Sequence, residues 1–128
     1  MRVLFTGSRR WSNDQIVIGF LESLLKRVNG RADLVTVVHG GATGLDSIAG
    51  VLAHHIGMKV EIHPAYWQRD GKAAGVLRNQ KMVDLGADLV VGFPLGESRG
   101  THDCLQRAKK AGLKVIRYDV PSQGFVKA

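Results

Sequence analysis

Short apolar runs alternate along the chain with longer stretches in which hydrophobic side chains recur every three or four residues. Val3, Leu4, Phe5 and Thr6 predict a first strand, and residues 34–38 a second. Between them Val17, Phe20, Leu21, Leu24, Leu25 and Val28 fall at helical spacing, as in a helix laid on a sheet. Ser12 with Gln15 three residues on reads as a capping box, and Asn29-Gly30 as the helix end. A second helix is expected to about Ile56, with Leu45, Ile48, Ala49, Leu52 and Ala53 inward and Gly57 closing it. Residues 58–62 alternate as a third strand. A third helix is expected over residues 72–85, a fourth strand over 88–93, a fourth helix over 101–111 and a fifth strand over 113–118. Residues 119–128 carry little pattern and read as a tail behind one domain spanning 2–118.

Five strands alternating with four helices predict an α/β, Rossmann-like three-layer sandwich, a parallel five-stranded sheet with helices on both faces. Right-handed crossovers favour the order 3-2-1-4-5. Successive connections then reverse direction between strands 1 and 4, opening a crevice at their carboxyl ends. Three glycine-bearing loops meet that rim: Gly7, Ser8 and Arg9; Gly40, Gly41, Ala42, Gly44 and Asp46; and the stretch from Pro94 to Thr101. In the last, Pro94 stops the strand, Gly96 and Gly100 permit close backbone approach, and Thr101 is the expected N-cap. Unpaired N–H groups at a helix start, with the positive end of its dipole, make an anion seat. Asp46 either caps its helix or accepts a hydroxyl of a ribose. Tyr66 and Trp67 offer aromatic surface for stacking a base, or else a lid on the core. Arg78 reaches for an anion, while Asn79, its neighbour on a helix, is expected on a different edge. Gly75 costs about 1 kcal/mol relative to alanine in a helix interior, which suggests close packing there.

A formal charge of +7 favours anionic partners: nucleotides, phosphorylated sugars or nucleic acid. The basic residues are spread along the chain, which places nucleic acid behind small anions. A single cysteine, Cys104, excludes an internal disulfide and fits a reducing, cytoplasmic compartment; it is expected to face the sheet. No apolar run reaches about 18 residues and no signal-peptide layout is present, so no membrane association is expected. The five histidines show no metal-ligand spacing, and neither metal nor cofactor is expected. Trp11 is a candidate for a surface through which helices pair in a homo-oligomer.

Taken together, Gly7-Ser8-Arg9, Gly40-Gly41-Ala42 with Gly44 and Asp46, the block running from Trp67 through Gly71, Ala74-Gly75 and Arg78-Asn79 to Met82, and Phe93, Gly96 and Gly100-Thr101 resemble the YspA-like branch of the SLOG superfamily. The resemblance covers about residues 2–118. It implies a Rossmann-like fold and a nucleotide or nucleotide-derived ligand held by Gly7, Ser8, Arg9, Gly40, Gly41, Asp46, Arg78, Asn79, Gly100 and Thr101. Relatives in that superfamily include the Lonely Guy phosphoribohydrolases and the DNA-binding DprA proteins. The phosphoribohydrolase pattern has a catalytic glutamate three residues after its threonine, where this chain has Cys104. Asp103, one residue away, would point about 100° round the helix.

The first functional reading is therefore a domain that senses or sequesters a nucleotide, with phosphate on the N–H groups of Gly40-Gly41 and Gly100-Thr101 and Trp67 or Tyr66 over the base. The alternative is an N-glycosidic hydrolase or ribosyltransferase acting on nucleoside monophosphates, with Asp46 or Asp103 in the catalytic role. Single-stranded DNA binding is the third.

Overall fold

Alternation along the strands decides which side chains reach which face of the sheet. In β1 (Arg2–Gly7), Val3 and Phe5 point to one face and Leu4 to the other. The computed structural model describes residues 1–128. After β1 come α1 (Asp14–Arg27), β2 (Thr36–His39), α2 (Leu45–His55), β3 (Lys59–Ile62), α3 (Trp67–Asp70), α4 (Ala74–Asp84), β4 (Leu89–Phe93), α5 (Arg99–Lys110), β5 (Val115–Asp119) and β6 (Gly124–Lys127). Val37, Val91 and Phe93 join Val3 and Phe5 under Val17, Phe20, Leu21 and Leu24 of α1 and Leu45, Ala49 and Ala53 of α2. Leu4, Val38, Val90 and Val115 lie on the opposite face against Met82 and Val83 of α4 and Cys104, Leu105 and Ala108 of α5. Gly92 leaves room for Leu105, whose side chain occupies the place a β-carbon would take. Two helices on each face of a Rossmann-like sheet give the expected three layers. No helix is long and apolar enough to cross a membrane.

The strand order is β3-β2-β1-β4-β5-β6, parallel from β3 to β5. The sheet gains a sixth strand over the expected five. Residues 124–127, read as part of a patternless tail, run antiparallel to β5, with Tyr118 opposite Phe125 and Asp119 opposite Gly124. Phe125 lies against Phe20, Phe93 and Tyr118, with ring centroids 4.9–5.7 Å apart, and these aromatic contacts hold a strand too short to announce itself.

Four local expectations are corrected. Asn13, not Ser12, caps α1, its side chain accepting the Ile16 N–H at 3.3 Å. The third predicted helix is broken: Trp67–Asp70 is one turn, Gly71–Ala73 a 3-10 turn at Gly71 with φ +58, and α4 begins at Ala74. Trp11 is a core residue 4% exposed, with its ring against Phe93 and Tyr118 and its Nε1–H donating to Asn13 O at 2.9 Å, so it presents no pairing surface. Thr101 is buried in the first turn of α5, and Ser98 takes the capping position.

Candidate functional site

The β1–α1 and β2–α2 connections are bound to each other at the carboxyl edge of the sheet. Ser8 O accepts the Leu45 N–H at 3.1 Å, and Ser8 N–H donates to Phe93 O at 3.0 Å. Gly44, at φ +74, lies against the Ser8 and Arg9 carbonyls so closely that no β-carbon fits. Gly7 has the Leu45 side chain in the same relation. These contacts bring three loops around one cavity of about 550 Å³ between β1 and β4, a volume typical of small-molecule sites. Gly7, Ser8, Arg9, Ala42, Asp46, Arg78, Asn79, Gly96, Gly100 and Thr101 all line it.

The loop after β2 differs from its sequence reading. Asp46 Oδ2 accepts the N–H groups of Gly40 at 3.0 Å and Ala42 at 3.2 Å, and His39 Nδ1 accepts that of Gly41 at 2.9 Å. All three consecutive donors are thus consumed inside the loop. The expectation that Gly40-Gly41 N–H groups hold phosphate is corrected: the loop supplies a carboxylate, not an anion nest. His39 is 4% exposed, and burial, with Arg78 and His63 adding to it, depresses its pKa, in keeping with a neutral ring whose Nδ1 accepts. Gly40, Gly41 and Gly44 stand behind the cavity wall; Arg78 crosses over Gly40, donates to its carbonyl, and occupies the space of a β-carbon there.

Asp46 is 6% exposed, and its second oxygen, Oδ1, is buried with no hydrogen-bond partner. Burial pushes the carboxyl up to about 6, against the opposing pull of the Ala42 and Gly40 N–H groups and of Arg78 and Arg9. A carboxylate with one oxygen bound twice and the other without a partner keeps acceptor capacity unused, which its own proton can take up.

The loop after β4 is the opposite case. Ser98 Oγ bridges Leu95, accepting its N–H at 2.8 Å and donating to its carbonyl at 2.6 Å. Gly96 and Ser98 take φ +59 and +37, an alternation that turns successive N–H groups inward. His102 N–H donates to Ser98 O as the first bond of the helix, and no N–H from Gly96 to Thr101 donates to a protein acceptor. The open end of a 12-residue helix adjoins them.

Four guanidinium groups line the same cavity: Arg9 and Arg78, singled out in the sequence, and Arg10 and Arg99, which were not. Arg99 precedes Gly100 at the start of α5 and Arg10 adjoins Arg9, so position alone was the available signal. Asn79 and Arg78 do not face apart: Arg78 Nε donates to Asn79 Oδ1 at 3.0 Å, and Asn79 Nδ2 reaches Gly100 O and Asp103 Oδ2, each at 3.1 Å. Asn79 therefore fixes α4 to the start of α5. Asp103 is held by Asn79 and, at 2.9 Å, by Arg107, away from the cavity lining. Trp67 is half-exposed outside that lining, with its ring 3.5 Å from the place of a β-carbon on Gly75 and the Arg9 guanidinium 5.9 Å from its centroid. Close packing against Gly75 thus comes from Trp67 itself. Cys104 is fully buried, and burial pushes its thiol up to about 12, so it does not stand in for an acid group.

Comparison with known proteins adds three findings. A family model described as YspA, cpYpsA-related SLOG family matches residues 1–69. The Gene 61 protein of Mycobacterium phage D29 is 43% identical over 122 residues, covering 91% of this chain and 95% of that protein. The X-ray structure of DNA processing protein A (DprA) from Streptococcus pneumoniae superposes with a TM-score of 0.67 at 20% identity. The superposition covers 91% of this chain and 49% of that one, so this chain spans about half its length and shares the fold.

Proposed function

The chain belongs to the YspA, cpYpsA-related SLOG family, and from that premise we propose that it binds a nucleotide or nucleotide-derived molecule in the cavity between β1 and β4. Membership suggests nucleotide-related binding or processing; the finer assignment rests on the cavity. The observation that carries it is the row of unpaired N–H groups from Gly96 to Thr101 beside four arginine side chains, a seat built for phosphate oxygens. Asp46 lines the same cavity, and its Oδ1, buried without a partner, becomes an acceptor for a sugar hydroxyl once the wall beside it gives slightly.

Calorimetric titration with adenine and guanine mono- and diphosphates and with ADP-ribose tests the reading. Dissociation constants below about 1 mM that rise on Arg78→Ala support it. Silence toward the whole panel sinks it. A single-stranded oligonucleotide that binds more tightly than any mononucleotide, with steep salt dependence, moves the reading to nucleic acid.

A second reading is favoured by one observation: the Asp46 carboxyl, raised to about 6, sits where an acid–base group of an N-glycosidic hydrolase or ribosyltransferase would be useful. Base release from nucleoside monophosphates, followed by chromatography and lost in Asp46→Asn, would establish turnover. A flat trace with retained binding leaves a sensor or carrier.

A further inference from the structure

Beside the charged cavity, and sharing Leu95 with it, runs a second hollow of about 520 Å³ between the start of α1 and the turn joining β5 to β6. The two differ in chemistry. The first carries four arginines, an aspartate and a glutamate; the second carries no charged residue. Ile16, Leu95 and Val120 give it apolar walls, and Ser12, Tyr118 and Gln123 give it neutral polar groups. Val120 and Leu95 are exposed at 48% and 37%, which leaves two large apolar side chains at its rim open to solvent. Tyr118 is 8% exposed, yet its hydroxyl makes no hydrogen bond within the protein, and neither do the Ser12 hydroxyl and the Gln123 amide. The Tyr118 hydroxyl is not itself sealed, since Asp46 Oδ1 is the one buried side-chain oxygen or nitrogen without a partner, so it faces solvent and can bond to a guest in the hollow.

Resting on the nucleotide reading above, we propose that this uncharged hollow receives the flat heteroaromatic base of the ligand whose phosphate lies on the N–H groups of Gly96 to Thr101, with the sugar passing over Leu95. Apolar walls remove the faces of a base from water, and neutral hydroxyl and amide groups read its edge without the desolvation cost of a charge. Trp67, on the other flank of the cavity, already has a guanidinium over its ring and lies outside both hollows.

The test compares ribose 5-phosphate with adenosine and guanosine monophosphates by calorimetry. The variants are Val120→Trp, which fills the hollow from an exposed position, Tyr118→Phe, which keeps the packing and removes only the hydroxyl, and Trp67→Ala. The unaltered protein is expected to bind at least one nucleotide about tenfold more tightly than ribose 5-phosphate. Val120→Trp should erase that advantage and Tyr118→Phe should cut it about threefold, both with ribose 5-phosphate affinity unchanged. The proposal is overturned if the base confers no advantage, or if the advantage survives Val120→Trp and Tyr118→Phe and disappears in Trp67→Ala. Loss of ribose 5-phosphate and nucleotide binding alike in the unaltered protein would instead remove the phosphate site on which the proposal stands.

Discussion

The β2–α2 and β4–α5 connections look alike in sequence and do opposite things. Both follow a central strand, carry glycines at positive φ, and open a helix. In the first, Asp46 and His39 turn back and accept every N–H from Gly40 to Ala42. In the second, Ser98 is occupied with Leu95, the Glu97 carboxylate accepts none of the bend's N–H groups, and those from Gly96 to Thr101 stay open. Glycine gives a loop the shape of an anion site; whether it is one depends on where each donor ends. A carboxylate in the first turn of the helix that follows is enough to convert such a loop from a receptor of negative charge into a bearer of it.

The largest expected effect is on the frame that holds both loops. Gly44→Ala forces a β-carbon into the Ser8 and Arg9 carbonyls at a positive φ, and should cost at least about 3 kcal/mol in chemical denaturation. Next, Asp46→Ala strips two buried N–H groups of their acceptor, for an expected loss of about 2–3 kcal/mol; if the loop were an anion nest, the same change would barely affect stability and would strengthen phosphate binding. Arg78→Ala should weaken a nucleotide phosphate by about 10- to 100-fold while leaving the melting temperature within a few degrees. Ser98→Ala, which loosens the open bend, should cost only about 1 kcal/mol.

Acid–base behaviour sharpens the contrast further. Because burial raises the Asp46 carboxyl to about 6, the folded chain holds that proton more tightly than the unfolded chain. The stability contributed is complete below the ordinary value of 3.8 and is lost as pH rises through about 6. Glu61 has the opposite sign: hydrogen bonding to Arg2, with His63 adding to it, holds its carboxyl at about 2, so its contribution is present above 4.5 and lost as pH falls toward 2. Asp46→Asn should therefore flatten the decline between about pH 4 and 7 and leave the acid limb in place; an unchanged profile in denaturant melts would show that Oδ1 is solvated after all.

The sheet, its central order and the meeting of three loops were legible because period-2 runs and crossover handedness act over whole elements. What escaped depends on single contacts. Ser12 and Asn13 are adjacent and chemically equivalent as caps, and only the backbone angle at Asn13 selects between them. Residues 124–127 gain their conformation from the ring of Phe125 against Phe20 and Phe93, distant in sequence, and against Tyr118 on the adjoining strand. Asn79 reads as a helical residue on a different edge from Arg78 until α5 arrives with the Gly100 carbonyl for it to bind. Within the candidate site, the glycines were visible as shape, but the bonding of their N–H groups was not, since a carboxylate's rotamer decides it.

The contrasting placement of the two tryptophans equips the molecule with its own optical readout. Trp11 is sealed among Phe93 and Tyr118, whereas Trp67 is half-exposed with a guanidinium lying over it. Quenching by a small solute should divide the intrinsic emission into an inaccessible and an accessible component. A guest that draws Arg9 away would alter the accessible component, and one seated in the hollow that Trp11 also lines would alter the other, so occupancy of each region can be followed without a label.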